Sequence, residues 1–88
     1  MPKPPFISTA LGKELRPIIR ETMQAAPKRK WTLKALHSFL VTNGYPDLPA
    51  TDVNAALLWN QSQGYVHFTY NHESEADEWH LTTRGLEA

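Results

Sequence analysis

The stretch VHFTYNHESEADEWHLTTRG, residues 66–85, decides the fold of this chain. Its two arms, VHFTYN and DEWHLTT, alternate apolar and polar residues with a period of two, and a short polar segment separates them. This alternation is typical of strands that bury one face, so the stretch predicts an antiparallel β-hairpin. Four acidic residues surround its tip: Glu73, Glu75, Asp77 and Glu78.

A register that pairs Asn71 with Glu78 gives the predicted faces of this hairpin. It places Tyr70 opposite Trp79 and Phe68 opposite Leu81. The face directed to the core then carries five residues, Val66, Phe68, Tyr70, Trp79 and Leu81. The other face carries His67, Thr69, His80 and Thr82, with the two histidines as diagonal neighbours.

The N-terminal part of the chain predicts an arm followed by a helix. Residues 1–7, MPKPPFI, contain three prolines and are expected to form a flexible arm, and residues 8–88 are expected to form one domain. Ser8 or Thr9 can cap a helix that Pro27 ends. Pro17 lies inside the apolar stripe of this segment, where it either kinks one helix or occupies the first turn of a shorter one.

Two more helices are predicted before the hairpin. Thr32 is the expected N-cap of the second helix, and Asn43-Gly44 ends it. The third helix, TDVNAALLWNQSQ, opens at Ala50 or Thr51. The expected fold is therefore of the α+β class, with three helices followed by an antiparallel hairpin of two strands or, with a short strand around Trp31, three.

The third helix and the hairpin together resemble the winged helix-turn-helix superfamily. TDVNAALLWNQSQGYV, residues 51–66, resembles the recognition helix and first wing strand, a pattern of the type V-x-x-A-L-x-x-L-x-x-x-G-Y-V. WHLTTRG, residues 79–85, looks like the closing wing strand, often W-x-L-T-x-x-G. The resemblance covers about residues 15–86 and implies a small DNA-binding transcription regulator or accessory factor.

The chain departs from this pattern in three places. Asn60 stands where the pattern has a buried leucine. Leu58 and Trp59 stand where exposed polar or basic residues are usual. The segment NGYPDLPA between the second and third helices is longer than the three or four residues of a tight helix-turn-helix.

Composition and charge describe one small domain with an uneven charge distribution. Residues 1–34 hold eight of the nine basic residues and two of the nine acidic ones, whereas residues 35–88 hold one basic and seven acidic residues. This division predicts one positive and one negative surface, or else charge pairing between the two halves. The chain has no cysteine, no apolar run long enough to span a membrane and no apolar signal segment, so a cytoplasmic protein without a membrane is expected.

Basic residues near the junction of the first two helices are the candidate phosphate contacts of a DNA-binding domain. They are Lys28, Arg29, Lys30, Lys34 and Arg20. The third helix carries neither lysine nor arginine, so the reading of bases would fall to Thr51, Asn54 and Gln61. Double-stranded DNA is the expected partner, and a homodimer would enlarge the small DNA interface of one domain. An ordinary solvated turn is the alternative for the basic cluster.

Leu58 and Trp59 support a second hypothesis, a protein-binding or dimerisation module that does not bind DNA. If both side chains are exposed, they form an apolar patch of the kind found at interfaces. Alternatively, Trp59 packs against the first helix or the arm. The acidic tip would be repelled by a DNA backbone, so it either contacts a basic partner or is simply a solvated loop.

Metal binding and catalysis have little support in the sequence. His67, His72 and His80 lie near the acidic tip, but their spacing fixes no third ligand, and no metal site is predicted. The chain has no glycine-rich phosphate loop, no cysteine nucleophile and no serine at a recognised spacing from a histidine–acid pair. Neither an enzyme nor a cofactor is expected.

Overall fold

A computed structural model of the chain describes residues 10–73 and 75–88, so the predicted arm at residues 1–7 and the caps at Ser8 and Thr9 lie outside the described residues. The elements follow in the order α1 (Ala10–Ala25), α2 (Leu33–Thr42), α3 (Ala50–Ser62), β1 (Val66–Asn71), β2 (Ala76–Leu81) and α4 (Thr83–Glu87). Three helices followed by an antiparallel hairpin form an α+β fold with winged-helix topology, which confirms the predicted fold class.

α1 is one helix that contains Pro17 in its interior. The alternative prediction, a shorter helix with Pro17 in its first turn, is therefore wrong. Leu15, Ile19 and Met23 recur at helical spacing and are fully or almost fully buried, whereas Pro17 points to solvent. The proline removes one backbone hydrogen bond on the exposed side of the helix, and the buried stripe is uninterrupted. The helix ends at Ala25, two residues before Pro27.

α2 begins at its predicted cap and leads into an ordered connection. The Thr32 hydroxyl accepts a hydrogen bond from the Ala35 N–H at 3.0 Å, as expected of an N-cap. After α2, Gly44 takes a positive φ of 121°. The long connection to α3 is held because Leu48 is buried and its carbonyl accepts a hydrogen bond from His37 Nε2 at 2.6 Å.

In the part of the chain that the structure describes, the sheet contains the two hairpin strands and a single bridge to Trp31. The N–H of Trp79 donates to the carbonyl of Trp31 at 2.6 Å, so the predicted third strand exists as one bridged residue. β2 therefore lies between Trp31 and β1, and β1 forms the outer edge of the sheet. This order of strands is compatible with a winged-helix layout.

The observed hairpin register differs by two residues from the predicted one. Phe68 lies opposite Trp79, and Asn71 lies opposite Ala76, the last pair before the tip, where Glu75 adopts a left-handed φ of 53°. An even shift leaves every side chain on its predicted face. The prediction that this face is buried throughout is nevertheless wrong, since Phe68 and Tyr70 are 46% and 51% exposed.

The core explains why these two aromatic residues are exposed. The helices cover the base of the hairpin, where Val66 and Trp79 are buried, while the outer half of β1 extends beyond them. The buried apolar residues form one cluster across α1, α2, α3 and the hairpin base: Leu15, Ile19, Met23, Trp31, Leu36, Leu40, Leu48, Val53, Ala56, Leu57, Val66 and Trp79. Among the described residues, no helix is long and apolar enough to cross a membrane.

A short fourth helix replaces the end of the predicted second strand. The strand was expected to continue through Thr83, but β2 ends at Leu81 and Thr82 caps α4 by accepting a hydrogen bond from the Gly85 N–H at 3.1 Å. Gly85 is buried, and a Cβ at this position would overlap the carbonyl oxygen of Tyr65. Gln24 of α1 donates to the Gly85 carbonyl at 2.7 Å, which joins α4 to the body of the fold.

Candidate nucleic-acid interface

Trp31 fixes the position of the basic turn between α1 and α2. Its indole N–H donates to the Ala26 carbonyl at 3.1 Å, its ring meets Phe39 edge-on at 5.9 Å between centroids, and its backbone bridges to Trp79. The guanidinium of Arg29 lies over this ring at 4.6 Å. A buried anchor therefore holds an exposed turn that contains three consecutive cations, residues 28–30.

These cations lie beside the N-terminus of α2. Lys28, Lys30 and Lys34 are exposed, and Lys34 lies in the first turn after the Thr32 cap. The unpaired N–H groups and the dipole of a helix favour anions at its N-terminus. The positive end of α2 and the lysine side chains thus contribute charge of the same sign to one region of the surface.

An open cleft joins this region to α3. It has a volume of about 510 Å³ and is lined by residues from α2, α3 and β2, namely Thr32, Leu33, Lys34, Asn54, Ala76, Asp77 and Trp79. The structure thereby brings together Lys34, a predicted phosphate contact, and Asn54, a predicted base contact. Asp77 of the wing also lines the cleft and sets a negative charge beside them.

The three residues predicted to read bases share one side of α3. Thr51 is exposed, and Asn54 and Gln61 are half-buried, at intervals of three and seven residues that keep them in one row along the helix. Leu58 lies in the same row and is 39% exposed. The opposite side of α3 is buried through Val53, Ala56 and Leu57. The accessible side of this helix is therefore polar at its ends and apolar in the middle.

Arg20 is engaged in a different set of contacts from the other predicted phosphate contacts. It is half-buried, and its guanidinium donates to Asn60 Oδ1 at 2.9 Å and lies over the Tyr65 ring at 4.5 Å. Asn60 occupies the place of the expected leucine with its side chain fully buried, and its Nδ2 donates to the carbonyls of Arg16 and Ala56. Arg20 is thus part of the packing between α1 and α3.

Trp59 and Leu58 do not share an environment. Trp59 is half-buried, with the guanidinium of Arg16 at 4.6 Å from its ring and with Tyr65 at 6.2 Å between centroids. Arg84 of α4 also lies over Tyr65, at 4.9 Å. Three arginines therefore surround two aromatic rings at the base of the hairpin. This cluster is not predicted by the sequence patterns above, although the i, i+4 spacing of Arg16 and Arg20 beside the apolar stripe of α1 is a signal for a shared face.

The wing tip holds its four carboxylates in two different ways. Glu78 is buried and accepts a hydrogen bond from Asn71 Nδ2 at 2.8 Å. Glu73, Glu75 and Asp77 are exposed. Three negative charges at the outer end of the hairpin therefore remain in contact with solvent.

The histidines of the hairpin pair with each other. His67 lies directly opposite His80, where a diagonal position was predicted, and their rings stack at 5.3 Å between centroids. His80 Nε2 is 3.0 Å from the Thr69 hydroxyl, and His72 meets Tyr70 edge-on. Within residues 10–73 and 75–88, no group of three or more His, Cys, Asp and Glu side chains is arranged to hold a metal ion.

Comparisons of the chain with known protein families, with curated proteins and with solved structures return no match.

Proposed function

We propose that this domain binds double-stranded DNA, with the basic turn and the start of α2 on the phosphates and α3 directed to the bases. The observation that carries the proposal is the cleft lined by both Lys34 and Asn54. Cations supply most of the affinity for DNA, and side-chain amides such as that of Asn54 can pair with the edge of adenine. In the winged-helix topology, α3 is the helix suited to such docking.

The acidic wing limits how the domain docks. Glu73 and Glu75 at the tip would be repelled by phosphates within a Debye length of about 10 Å at moderate salt. We therefore place the tip away from the duplex and assign the phosphate contacts to Lys28, Arg29, Lys30 and Lys34. Arg20 is left out, because its guanidinium is already hydrogen-bonded to Asn60.

A salt titration with a mixed pool of duplexes tests this proposal. The logarithm of the binding constant should fall linearly with the logarithm of the salt concentration, and each lost phosphate contact should reduce the slope by about one. Lys28→Ala and Lys34→Ala are the test variants. Lys13→Ala removes the same charge from an exposed position near the start of α1 and is the matched control.

The results separate the two functional hypotheses. Equal slopes for Lys28→Ala and Lys13→Ala would show that the basic turn makes no contact with DNA, and equal slopes for Lys34→Ala and Lys13→Ala would show the same for the start of α2. If the unmodified protein fails to bind any duplex even at low salt, the DNA proposal is wrong.

Leu58 supports the second candidate, a protein-binding module. It is an exposed leucine in the middle of the accessible row of α3, where a polar or basic residue is usual. Leu58→Gln should abolish capture of a protein partner while leaving the thermal unfolding midpoint unchanged. If Leu58→Gln instead weakens binding to DNA as strongly as Lys34→Ala does, the leucine contributes to the DNA interface.

A further inference from the structure

The outer backbone edge of β1 is not paired with any strand of the described residues. In an antiparallel ladder, residues alternate between those that bond to the neighbouring strand and those that point away from it. The Trp79 N–H points to Trp31, so the pair Phe68–Trp79 is not hydrogen-bonded, whereas Thr82 donates to the Tyr65 carbonyl. By this alternation, Val66, Phe68 and Tyr70 direct their N–H and C=O groups to the outer edge. No other strand covers that edge in the described residues.

The exposed edge coincides with exposed aromatic side chains. Phe68 and Tyr70 lie on one face of β1 and are each about half exposed. Natural proteins commonly protect an edge strand with lysine, proline or a bulge, and the sequence VHFTYN contains neither lysine nor proline. An edge of this kind is suited to pairing with another strand.

Opposite charges lie at the two ends of the same hairpin. The base carries Arg16, Arg20 and Arg84 on the rings of Trp59 and Tyr65. No carboxylate among the described residues forms an ion pair with these arginines. Stacking on an aromatic ring leaves the in-plane N–H donors of a guanidinium available, so Arg16 and Arg84 can still bind an anion.

The acidic tip of the same chain cannot supply that anion. β1 spans six residues, or about 20 Å at 3.3 Å per residue, and this length separates the tip from the base. A second copy in antiparallel orientation has no such restriction. It brings its own tip, with Glu73 and Glu75, to the arginines of the first copy.

We propose that two copies of this chain associate through antiparallel pairing of their β1 edges about a two-fold axis, with the acidic tip of each copy against the arginine cluster of the other. A register that pairs Phe68 with Tyr70 of the second copy also pairs Asn71, the last residue of β1, with His67 of the second copy, so that the tip beyond Asn71 extends toward Tyr65 and Arg84 of the second copy. The backbone groups, the aromatic side chains and the charges are all satisfied by the same arrangement. It is isologous, so it closes as a dimer.

Two further observations favour a second copy as the partner of the β1 edge. The formal net charge of the chain is zero, so there is no net charge repulsion between two copies. Residues 1–9, which lie outside the described part, contain no aspartate or glutamate and cannot neutralise the arginines if they cover the edge. The second copy supplies both the strand and the negative charge.

Sedimentation equilibrium tests the pairing through the backbone edge. The unmodified chain should have twice its mass of 10.0 kDa at high micromolar concentration and low salt. Tyr70→Pro removes an outward N–H without breaking the ladder to β2, and Tyr70→Ala removes the same ring but keeps the N–H. Proline should therefore weaken the dimer at least about tenfold relative to alanine. A monomeric unmodified chain, or equal masses for the two variants, overturns the proposal.

A charge exchange tests the contact between tip and base. In homodimers of Glu73→Arg, and likewise in those of Arg84→Glu, both contacts between residue 73 and residue 84 become repulsive, so each variant alone should dimerise more weakly than the unmodified chain. In a mixed dimer of the two variants both contacts are again attractive, so mixing should restore a dimer that contains one copy of each. A mixture that dimerises no better than either variant alone contradicts the assignment of these charges.

Two controls keep the result independent of folding and of the N-terminal arm. Amide hydrogen exchange on the unmodified protein should show protection of Phe68 and Tyr70 at high concentration and its loss on dilution. Equal protection at both concentrations contradicts the dimer. Deletion of residues 1–9 should leave the chain dimeric. A monomeric deletion variant would identify the arm of the second copy, not its β1 strand, as the partner of the edge. None of these measurements includes DNA, so they stand apart from the proposed function.

Discussion

Arg20 of α1 donates a hydrogen bond of 2.9 Å to the side-chain carbonyl of Asn60 in α3, which is fully buried. The amide nitrogen of the same asparagine donates to the carbonyls of Arg16 and Ala56 at 3.1 Å and 2.8 Å. Both ends of the buried amide are therefore satisfied, which removes the cost of burying it. Asn60 stands where the sequence pattern has a core leucine, and its hydrogen bonds to Arg20 and Arg16 connect α3 to α1.

Asn60→Ala should lower the free energy of unfolding by about 2–3 kcal/mol, since it removes three hydrogen bonds and leaves a small cavity. Urea denaturation followed by tryptophan fluorescence measures this change. Gln61→Ala, at the next and half-buried position of α3, should change stability by less than about 0.5 kcal/mol. If Asn60→Ala lowers the free energy of unfolding as little as the control does, the hydrogen bonds of Asn60 contribute little to stability.

Arg20→Ala tests the contact between Arg20 and Asn60 from the α1 side. It should cost about 1 kcal/mol through the hydrogen bond and the contact with Tyr65, and its effect should not add to that of Asn60→Ala. A double-mutant cycle of Arg20→Ala and Asn60→Ala measures the coupling by urea denaturation. Strict additivity of the two losses would mean that the two side chains act independently despite their contact.

Gly85→Ala should destabilise the fold by about 1–3 kcal/mol, because the added methyl group overlaps the backbone carbonyl of Tyr65 and forces α4 away from the hairpin base. Thermal unfolding followed by circular dichroism measures the shift. Leu86→Ala, at an exposed neighbouring position, is the control and should have little effect. If the two variants unfold at the same temperature, α4 is not packed closely against the hairpin in solution.

The pattern of the sequence predicted the elements of the fold better than their ends. Period-two alternation identified both strands, and the cap at Thr32 identified the start of α2, because each signal is local. The hairpin register depended on the conformation of Glu75 at the tip, which no alternation encodes. Thr82 was assigned to a strand because a threonine suits both a strand and a helix cap. Its hydrogen bond to the Gly85 N–H makes it a cap.

The candidate site was only partly predictable for a similar reason. Lys28–Lys30 and Lys34 were identified from charge alone, and the structure exposes the lysines at the start of α2. The adjacency of Lys34 and Asn54 arises from the packing of α2 against α3, and the cluster of Arg16, Arg20 and Arg84 arises from three separate elements. Contacts between distant residues leave no periodic trace in a single sequence.

Asp77→Asn should increase the affinity for duplex DNA, since the proposed function puts phosphates beside a cleft in which Asp77 is a fixed negative charge near Lys34. At low salt the gain should be a few-fold, which corresponds to under about 1 kcal/mol, as expected for an exposed charge screened by water. Fluorescence anisotropy of a labelled duplex measures it. Glu21→Gln removes the same charge from an exposed position on α1 and should give a smaller gain. An equal gain from both variants would indicate a general charge effect and would leave DNA outside the cleft.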